Sequence, residues 1–520
     1  MRRSFSTETG FASPQLEVGR HGPPLHGILF MKTISRFSSA PRGLVFEWKE
    51  LAEQAFSRTA GAPLIGGNSI RLLRDARENY PAWLEAIGSS REHVHLENYI
   101  FAADQTGERF AEALSERAEK GVRVRLIYDW VGCFMKTPGK FWDRLRRHGI
   151  EVRCYNPPRF DSPLGWLSRD HRKVLSVDGN VGFVSGLCIA DEWEGIPEKK
   201  IDPWRDTGVE LRGPAVAELE QSFSMSWEMT GTPLPPDDPP EPDPIAPAGD
   251  ASVRLVAGLP STVRMMRLDQ LIAALAKKRL WLTDAYYAGT AAYVQALRAL
   301  ADDGADVRLL VPHGTDIPLL RPLSRSGYRT LLEAGIRIFE WNGTMLHAKT
   351  AVADGVWARV GSTNLNMSSW LGNCEMDVVV EDAGFARQME DMYIEDLKNS
   401  TEVVLDERRK VRAPGEPRHP RQLIRKGGGS VSRAAAGAIR ITNVVGAAVT
   451  DKRILEPVES RIMIFSGLFL LLLAALFMVF PFLLAYPLIL VILWISVILI
   501  YRGIRLRSER KVSSLKDPAK

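Results

Sequence analysis

Histidine and cysteine are scarce in this chain. There are nine histidines in 520 residues. The four cysteines (Cys133, Cys154, Cys188 and Cys374) lie far apart, and no C-x-x-C occurs. That excludes a zinc site of paired thiolates and a disulfide framework, and it leaves reduced thiols in a cytosol-facing protein as the expectation. Residues 1–44 mix Gly, Pro, Ser and Arg without an uninterrupted apolar stretch. A cleaved signal peptide is therefore not expected; the segment reads as a disordered extension, with Met31 an alternative start. Positive charge is missing where a nucleic-acid groove would need it: residues 1–401 carry a balance of −6 and residues 402–520 one of +11. A basic tail beside an apolar segment suits anionic lipid instead.

That apolar segment is residues 462–501, which contain no charged residue. A spanning helix needs about 20 apolar residues, and this run is about twice that. Pro481 and Pro487 sit near its middle, and both flanks are basic: Lys452, Arg453 and Arg461 before it, Arg502, Arg505, Arg507, Arg510 and Lys511 after it. The expectation is two transmembrane helices in a hairpin with both ends cytoplasmic, or a shallow re-entrant hairpin. A buried core hairpin is the blander alternative.

Two of the nine histidines belong to one pattern that occurs twice. His171-Arg172-Lys173 is followed after four residues by Asp178, and His347-Ala348-Lys349 after four residues by Asp354. A glycine, an apolar run and a small-residue turn follow each copy: Ser185-Gly186-Leu187-Cys188 in the first and Gly361-Ser362-Thr363-Asn364 in the second. Satisfied core histidines beside surface lysines would not repeat this order.

The repeat extends beyond the motif. Residues 94–100 read as a strand, 110–120 as a helix closed by Gly121, 122–128 as a buried strand, 141–148 as a helix and 150–155 as a strand. The same succession returns at 280–286, 304–310 and 332–342. Strands alternating with helices imply an α/β fold with parallel strand pairs. Between the copies, residues 231–250 are too rich in proline for a helix or an inner strand. The organisation expected is thus an extension (1–44), a first αβα half (45–230), a Pro-rich linker (231–250), a second half (251–405), a basic linker (406–461), the apolar hairpin (462–501) and a basic cytoplasmic tail (502–520). Packed face to face with pseudo-two-fold symmetry, the halves would bring both motifs to one interface.

Two imidazoles and two ammonium groups at one site suit displacement at a phosphodiester. One imidazole attacks phosphorus and forms a phosphohistidine. The other protonates the departing alkoxide and then deprotonates an incoming alcohol or water. Lys173 and Lys349 would neutralise the transition-state oxygens. Asp178 and Asp354 are expected to accept from imidazole N–H and fix its tautomer, and Ser185, Ser362 and Asn364 to donate to phosphate oxygens. No cofactor is needed. A metal held by His171 and His347 would sit beside a cation two residues from each, so none is expected.

The doubled H-x-K-x4-D with G-S-x-N resembles the phospholipase D superfamily, and within it the bacterial cardiolipin synthases. Supporting stretches are Gly107-Glu-Arg-Phe-Ala-Glu-Ala-Leu, Gly121-Val-Arg-Val-Arg-Leu, Ala190-Asp191-Glu192-Trp193, Trp204-Arg205-Asp206-Thr207, Gly213-Pro214-Ala215-Val216 and Asn373-x-Glu375. The resemblance covers roughly residues 65–400. It implies a two-half phospholipase D-like fold and a phosphatidyl-enzyme intermediate, with His171 as nucleophile, His347 as acid/base, and Glu192 and Glu375 in support. It also implies phospholipid substrates, phosphatidylglycerol first among them, and a bacterial inner membrane with the catalytic part on the cytoplasmic side. Two departures stand out: Cys188 replaces the family's usual Asn, and the membrane segment is C-terminal. A hydrolase releasing phosphatidic acid, a nuclease and a non-catalytic scaffold are the competing readings.

Overall fold

The structure is a computed structural model that describes residues 53–159, 167–235, 245–316, 320–405, 411–412 and 457–516. The extension 1–44, the middle of the Pro-rich linker and nearly all of the basic stretch 408–453 lie outside the described residues. The chain divides into two units, and the sheet, its helices and both motifs belong to the second, Phe56–Lys520.

The first set of strands is β1 (Ile65–Arg74), β2 (His93–Asn98), β3 (Arg123–Asp129), β4 (Glu151–Tyr155), β5 (Lys173–Val177), β6 (Val181–Ser185) and β7 (Thr207–Arg212). The second is β8 (Ala251–Gly258), β9 (Arg279–Thr283), β10 (Asp306–Pro312), β11 (Arg337–Trp341), β12 (Thr350–Ala353), β13 (Trp357–Gly361) and β14 (Glu375–Glu381), extended by β15 (Ser400–Leu405) and β16 (Val411–Arg412). All join one mixed sheet in the order β16-β15-β11-β10-β9-β12-β13-β14-β8-β1-β7-β6-β5-β2-β3-β4. Outward from the β8–β1 junction the two sides read alike: β8-14-13-12-9-10-11 on one and β1-7-6-5-2-3-4 on the other. Only β2–β3–β4 and β9–β10–β11 pair in parallel. These are the strands connected through helices, since a parallel pair needs a long crossover.

The helices begin where local chemistry allows. The expected helix at 110–120 spans Gln105–Glu119, because the Asp104 side chain accepts the Gly107 N–H (2.9 Å) and caps it one turn earlier. Its apolar face puts Phe110 and Leu114 against Trp83, Leu126 and Phe183 in the first core. The second core gathers Leu268, Tyr293, Leu297, Leu309 and Ile338, and Ala60 and Ala62 pack into it. A third layer joins the halves: Val174, Val184, Val209 and Leu211 meet Leu255, Val360, Met376 and Val378. Full burial of one such side chain is worth about 1.5–3 kcal/mol, so this layer fixes one half on the other. The halves therefore meet at a strand edge as well as face to face.

At the C-terminus, helices run Pro457–Val479 and Phe482–Lys516, with Pro487 inside the second. Side chains of several of their residues lie outside the described set. Among the described residues, no helix is long and apolar enough to cross a membrane.

Candidate active site

Each histidine precedes a strand of the inter-half layer. His171 stands two residues before Lys173, the first residue of β5, and His347 two residues before Lys349, which leads into β12. In extended chain, residues two apart point to the same face, so each imidazole shares a face with its ammonium group. Lys173 Nζ donates to the His171 carbonyl, and Lys349 Nζ to that of His347. Arg172 points the other way and is fully buried. It donates to the Glu375 carbonyl (3.2 Å), Ser226 Oγ (2.6 Å) and the Gly258 carbonyl (3.1 Å), which ties the first motif to the second half. The second copy has the buried Ala348 there instead.

The two halves then cross over. The His171 N–H donates to the Cys374 carbonyl (2.9 Å), and the His347 N–H to the Arg205 carbonyl (2.7 Å). The residue after each of those carbonyls is a carboxylate aimed at the neighbouring imidazole. Glu375 Oε2 lies 2.9 Å from His171 Nδ1, and Asp206 Oδ2 lies 2.7 Å from His347 Nδ1. Register shows that Asp206 and Glu375 are equivalent positions: Gly208 pairs with Ser185 across β6–β7, Asp377 pairs with Gly361 across β13–β14, and each carboxylate lies two residues earlier. Each half thus supplies the carboxylate for the other half's histidine.

This corrects the expectation for Asp178 and Asp354, which bond to no imidazole. Each lies at the far end of its strand from the imidazole. Asp178 accepts the N–H groups of Arg91, Glu92 and His93 at 2.8–2.9 Å. Asp354 accepts those of Lys277, Lys278 and Arg279 at 2.8–2.9 Å. Both have φ of 52°, in the left-handed region that Asp tolerates in a turn. They hold the entry to β2 and β9.

The hydroxyls are also differently employed. Ser362 Oγ donates to Glu375 Oε2 (2.6 Å) and accepts the Met376 N–H (3.0 Å), so it orients the carboxylate. Ser185 Oγ accepts the Leu187 N–H (3.1 Å) and closes its own turn. It matches Gly361 in register, and Gly186 matches Ser362. A Cβ on Gly186 would collide with Asp206 Oδ1, so glycine there leaves room for the carboxylate. Asn364 Nδ2 is 3.5 Å from Ser369 Oγ, and its buried Oδ1 has no hydrogen-bond partner among the described residues. Cys188 is buried at the equivalent place in the first half. Glu192 accepts from Lys136 Nζ (2.8 Å), and Glu375 also accepts from Asn373 Nδ2 (3.1 Å).

Sequence reasoning assigns Asp206 no role. Its signal is its place in Trp204-Arg205-Asp206-Thr207, the counterpart of the Glu375 segment. It is held from several sides. Trp193 Nε1 donates to its Oδ2 (2.9 Å), Asp75 accepts its backbone N–H (2.9 Å), and Arg205 is clamped on Asp396 by two bonds of 2.8 Å. On the other side, Asp129 accepts from Arg169 Nη1 (3.1 Å) and the Asp170 N–H (2.9 Å), which fixes the approach to His171.

Burial and the paired cations set the protonation states. Burial and Lys349 push the His347 pKa down to about 3 against the pull of Asp206. His171 is likewise lowered by burial, with Glu375 opposing and both lysines adding to the drop. Burial would raise Asp206, but His347 and Lys349 outweigh it and hold it at about 2. Glu375 is lowered too, burial being outweighed by His171 and Lys173. An ionised carboxylate only accepts, so Nδ1 of each neutral imidazole carries the proton and Nε2 keeps its lone pair. Burial also lowers Lys173, and it lowers Lys349 to about 8. The two lysines sense each other's charge across the halves, as His171 does Lys349 and His347 does Lys173. Tyr99 flanks His171 (ring centroids 4.9 Å), and Trp193, Trp204 and Tyr286 flank His347 (5.2, 5.6 and 5.8 Å).

Elsewhere, His93, His95 and Glu220 are close enough to share a metal ion. They form a hydrogen-bonded group instead. Arg125 Nη1 lies 3.4 Å from His95 Nε2, which assigns the ring's proton to Nδ1, 2.6 Å from Glu220.

Comparison with known proteins identifies the family. The family profile described as "Cardiolipin synthase, PLD-like domain" matches residues 83–191 and 269–397. A cardiolipin synthase of Geobacillus sp. (strain WCH70) is 32% identical over 356 residues, 67% of this chain and 70% of that one. Cardiolipin synthase A of Pseudomonas aeruginosa (strain LESB58) is 34% identical over 370 residues, 69% and 73% of the two chains. Among solved structures, phosphatidylserine synthase of Haemophilus influenzae Rd KW20 shares the fold, with a TM-score of 0.56 at 13% identity, over 77% of this chain and 99% of that one. The chain belongs to the cardiolipin synthase family, phosphatidyltransferases of the phospholipase D superfamily.

Proposed function

We propose that this chain makes cardiolipin, or a closely related phospholipid, by transphosphatidylation between two phosphatidylglycerol molecules. The observation that carries the reading is the crossed pair of imidazole–carboxylate contacts beside two buried lysines. His171 Nε2 attacks the donor's phosphorus; the N–P bond forms, the P–O bond to glycerol breaks, and His347 gives the leaving oxygen its proton. The acceptor's hydroxyl then returns a proton to His347 Nε2 and attacks phosphorus. The new O–P bond forms, the N–P bond breaks, and His171 is restored. Burial keeps both rings neutral before substrate binds; the anionic phosphodiester supplies the charge that favours an imidazolium at His347. Lys173 and Lys349 neutralise the phosphoryl oxygens, with Asn364 as a neutral donor. Glu375 and Asp206 hold the two tautomers. No step draws on a cofactor or metal.

In this reading residues 45–230 and 251–405 are two halves related by a pseudo-two-fold axis and joined through the linker 231–250. The C-terminal helices form a membrane hairpin, with the basic flanks and the catalytic halves on the cytoplasmic face of a bacterial membrane. Its support is the uncharged run 462–501, the helix break at Phe480–Pro481, and the exposure of Leu471, Leu472 and Met478. Alkaline carbonate extraction should leave the full chain in the membrane pellet; release to the supernatant would remove the anchor.

Lipid mass spectrometry after expression in a strain without its own synthases tests the activity. Wild type should yield cardiolipin and His171→Ala none. Phosphatidic acid in place of cardiolipin would mean that water is the acceptor, and DNA cleavage without a lipid product would mean a nuclease.

A further inference from the structure

The loop that follows β3 is fixed on its inner side and apolar on its outer side. Asp129 accepts the N–H groups of Val131 (2.8 Å) and Gly132 (3.0 Å), and its other oxygen accepts that of Asp170 (2.9 Å), the residue before His171. A Cβ on Gly132 would collide with the carbonyl of Tyr99, whose ring lies against His171. The buried Cys133 takes the Phe101 N–H on its sulfur (3.4 Å). The loop is therefore seated beside the first histidine. Its outer residues nevertheless face solvent: Phe134 is 42% exposed and Met135 75%. Met135 also has φ of 64°, a left-handed conformation that glycine or asparagine adopts at less cost. The turn alone gives no reason for a large apolar side chain there.

A second loop stands next to it. β3 and β4 end side by side, with Asp129 opposite Tyr155. The residue after Tyr155, Asn156, donates from Nδ2 to the Ser168 carbonyl (3.1 Å), and Arg169 donates to Asp129 (3.1 Å). Beside these bonds Leu167 is 50% exposed. Half-buried Trp130 has its ring centroid 4.9 Å from that of Phe134. Single exposed apolar side chains are ordinary, but Trp130, Phe134, Met135 and Leu167 on two adjoining loops form a patch. Residues 130–140, 156–159 and 167–169 include no Asp or Glu, and Lys140 and Arg159 are exposed among them.

We infer that this patch is a rim that seats the His171 side of the site in the surface of an anionic phospholipid bilayer. The inference rests on the reading that the substrate is a phospholipid. The phosphodiester to be attacked then lies in the headgroup layer, so the surface around His171 has to meet that layer as substrate enters. Apolar tips and an indole flanked by cations match a layer that is negative at its surface and apolar beneath. The contact is separate from the C-terminal helices, and it sets orientation instead of attachment. Asp129 joins the rim to Asp170, so seating the rim brings His171 to the depth of the phosphorus.

The test gives the full chain one headgroup in two physical forms: dioleoylphosphatidylglycerol vesicles, and dihexanoylphosphatidylglycerol below its micelle concentration. Glycerol release follows both, and the ratio of the two rates cancels the folded fraction of a preparation. The double variant Phe134→Ser/Met135→Ser should lower the vesicle-to-monomer ratio about tenfold, the scale for losing one buried apolar side chain, with the monomer rate at wild type. A Met135→Cys chain carrying an environment-sensitive fluorophore supplies a second measurement, with the wild-type chain taken through the same labelling as control. Its emission should move to the blue in phosphatidylglycerol vesicles and be quenched by a nitroxide near the top of the acyl chain. An unchanged ratio, or a label that keeps its emission in water while vesicle lipid turns over, overturns the rim, hands the patch to a protein partner and leaves the phosphatidyltransfer reading intact. Wild type that releases glycerol from neither form overturns both.

Discussion

Asp206→Asn replaces one atom, removes one charge and tests the crossed-pair geometry directly. The native carboxylate takes His347 Nδ1 at 2.7 Å and Trp193 Nε1 at 2.9 Å on one oxygen, and the Thr207 N–H at 2.8 Å on the other. An amide cannot satisfy all three donors. If its oxygen faces His347 and Trp193, its NH2 meets the Thr207 N–H. If it flips, the NH2 faces His347 and moves the ring proton to Nε2, where it blocks proton acceptance. Either way the imidazolium formed in each cycle loses its counter-charge. A charge-assisted bond is worth about 1.5–3 kcal/mol, or about 10–150-fold in rate, and the tautomer error in a triad costs up to about 10⁴-fold. Turnover of phosphatidylglycerol in vesicles, followed by glycerol release, should therefore drop at least about 100-fold in kcat, with KM within about threefold. The pH profile should move as well. After burial, Asp206 is the strongest influence on Lys349 and holds its pKa up at about 8. Without that charge the ammonium is lost at lower pH, and the alkaline limb shifts toward acid. A variant keeping more than about a third of wild-type kcat with an unmoved limb would refute the pairing.

Other outcomes rest on the same contacts. Because Lys349 is charged only below about 8, the wild-type rate should fall as pH rises through that value; Lys349→Arg, which cannot deprotonate, should lose the limb in a kcat–pH profile. Asp178→Asn and Asp354→Asn should each lower thermal stability by about 1–3 kcal/mol, since each carboxylate gathers three backbone N–H groups, while the kcat of the folded enzyme stays at wild type. Gly186→Ala should fold but lose turnover, because its methyl displaces Asp206; circular dichroism against glycerol release separates the two effects.

Much of this site is legible in the sequence because its parts repeat. Two H-x-K-x4-D patterns inside two αβ successions imply two similar halves, and the strand order reads alike outward from the β8–β1 junction. The terminal aspartates mislead for a geometric reason. A motif reads as one unit along the chain, but five residue steps of extended strand carry Asp178 and Asp354 about 16 Å from the lysine. The true partners, Asp206 and Glu375, are 141 and 204 residues from their histidines. No periodicity or local spacing reports a contact across a third layer formed only when the halves meet. Family resemblance reaches Glu375, and it covers the stretch around Asp206 without giving that residue a role.

The crossing also explains why the chain keeps two halves when each already carries a histidine and a lysine. A half alone has an imidazole without its carboxylate and a carboxylate without its imidazole. Packing the halves through Val174, Val184, Val209 and Leu211 against Val360, Met376 and Val378 completes both pairs at once. The cost is a pair of buried lysines whose charges oppose each other, and burial lowers both. An anionic phosphodiester relieves that opposition, so the field of the two lysines becomes attraction for the group to be transferred. The remaining differences between the halves, Arg172 against Ala348 and Cys188 against Asn364, fall on positions that touch this field. They give a near-symmetric scaffold the means to assign its two imidazoles different tasks.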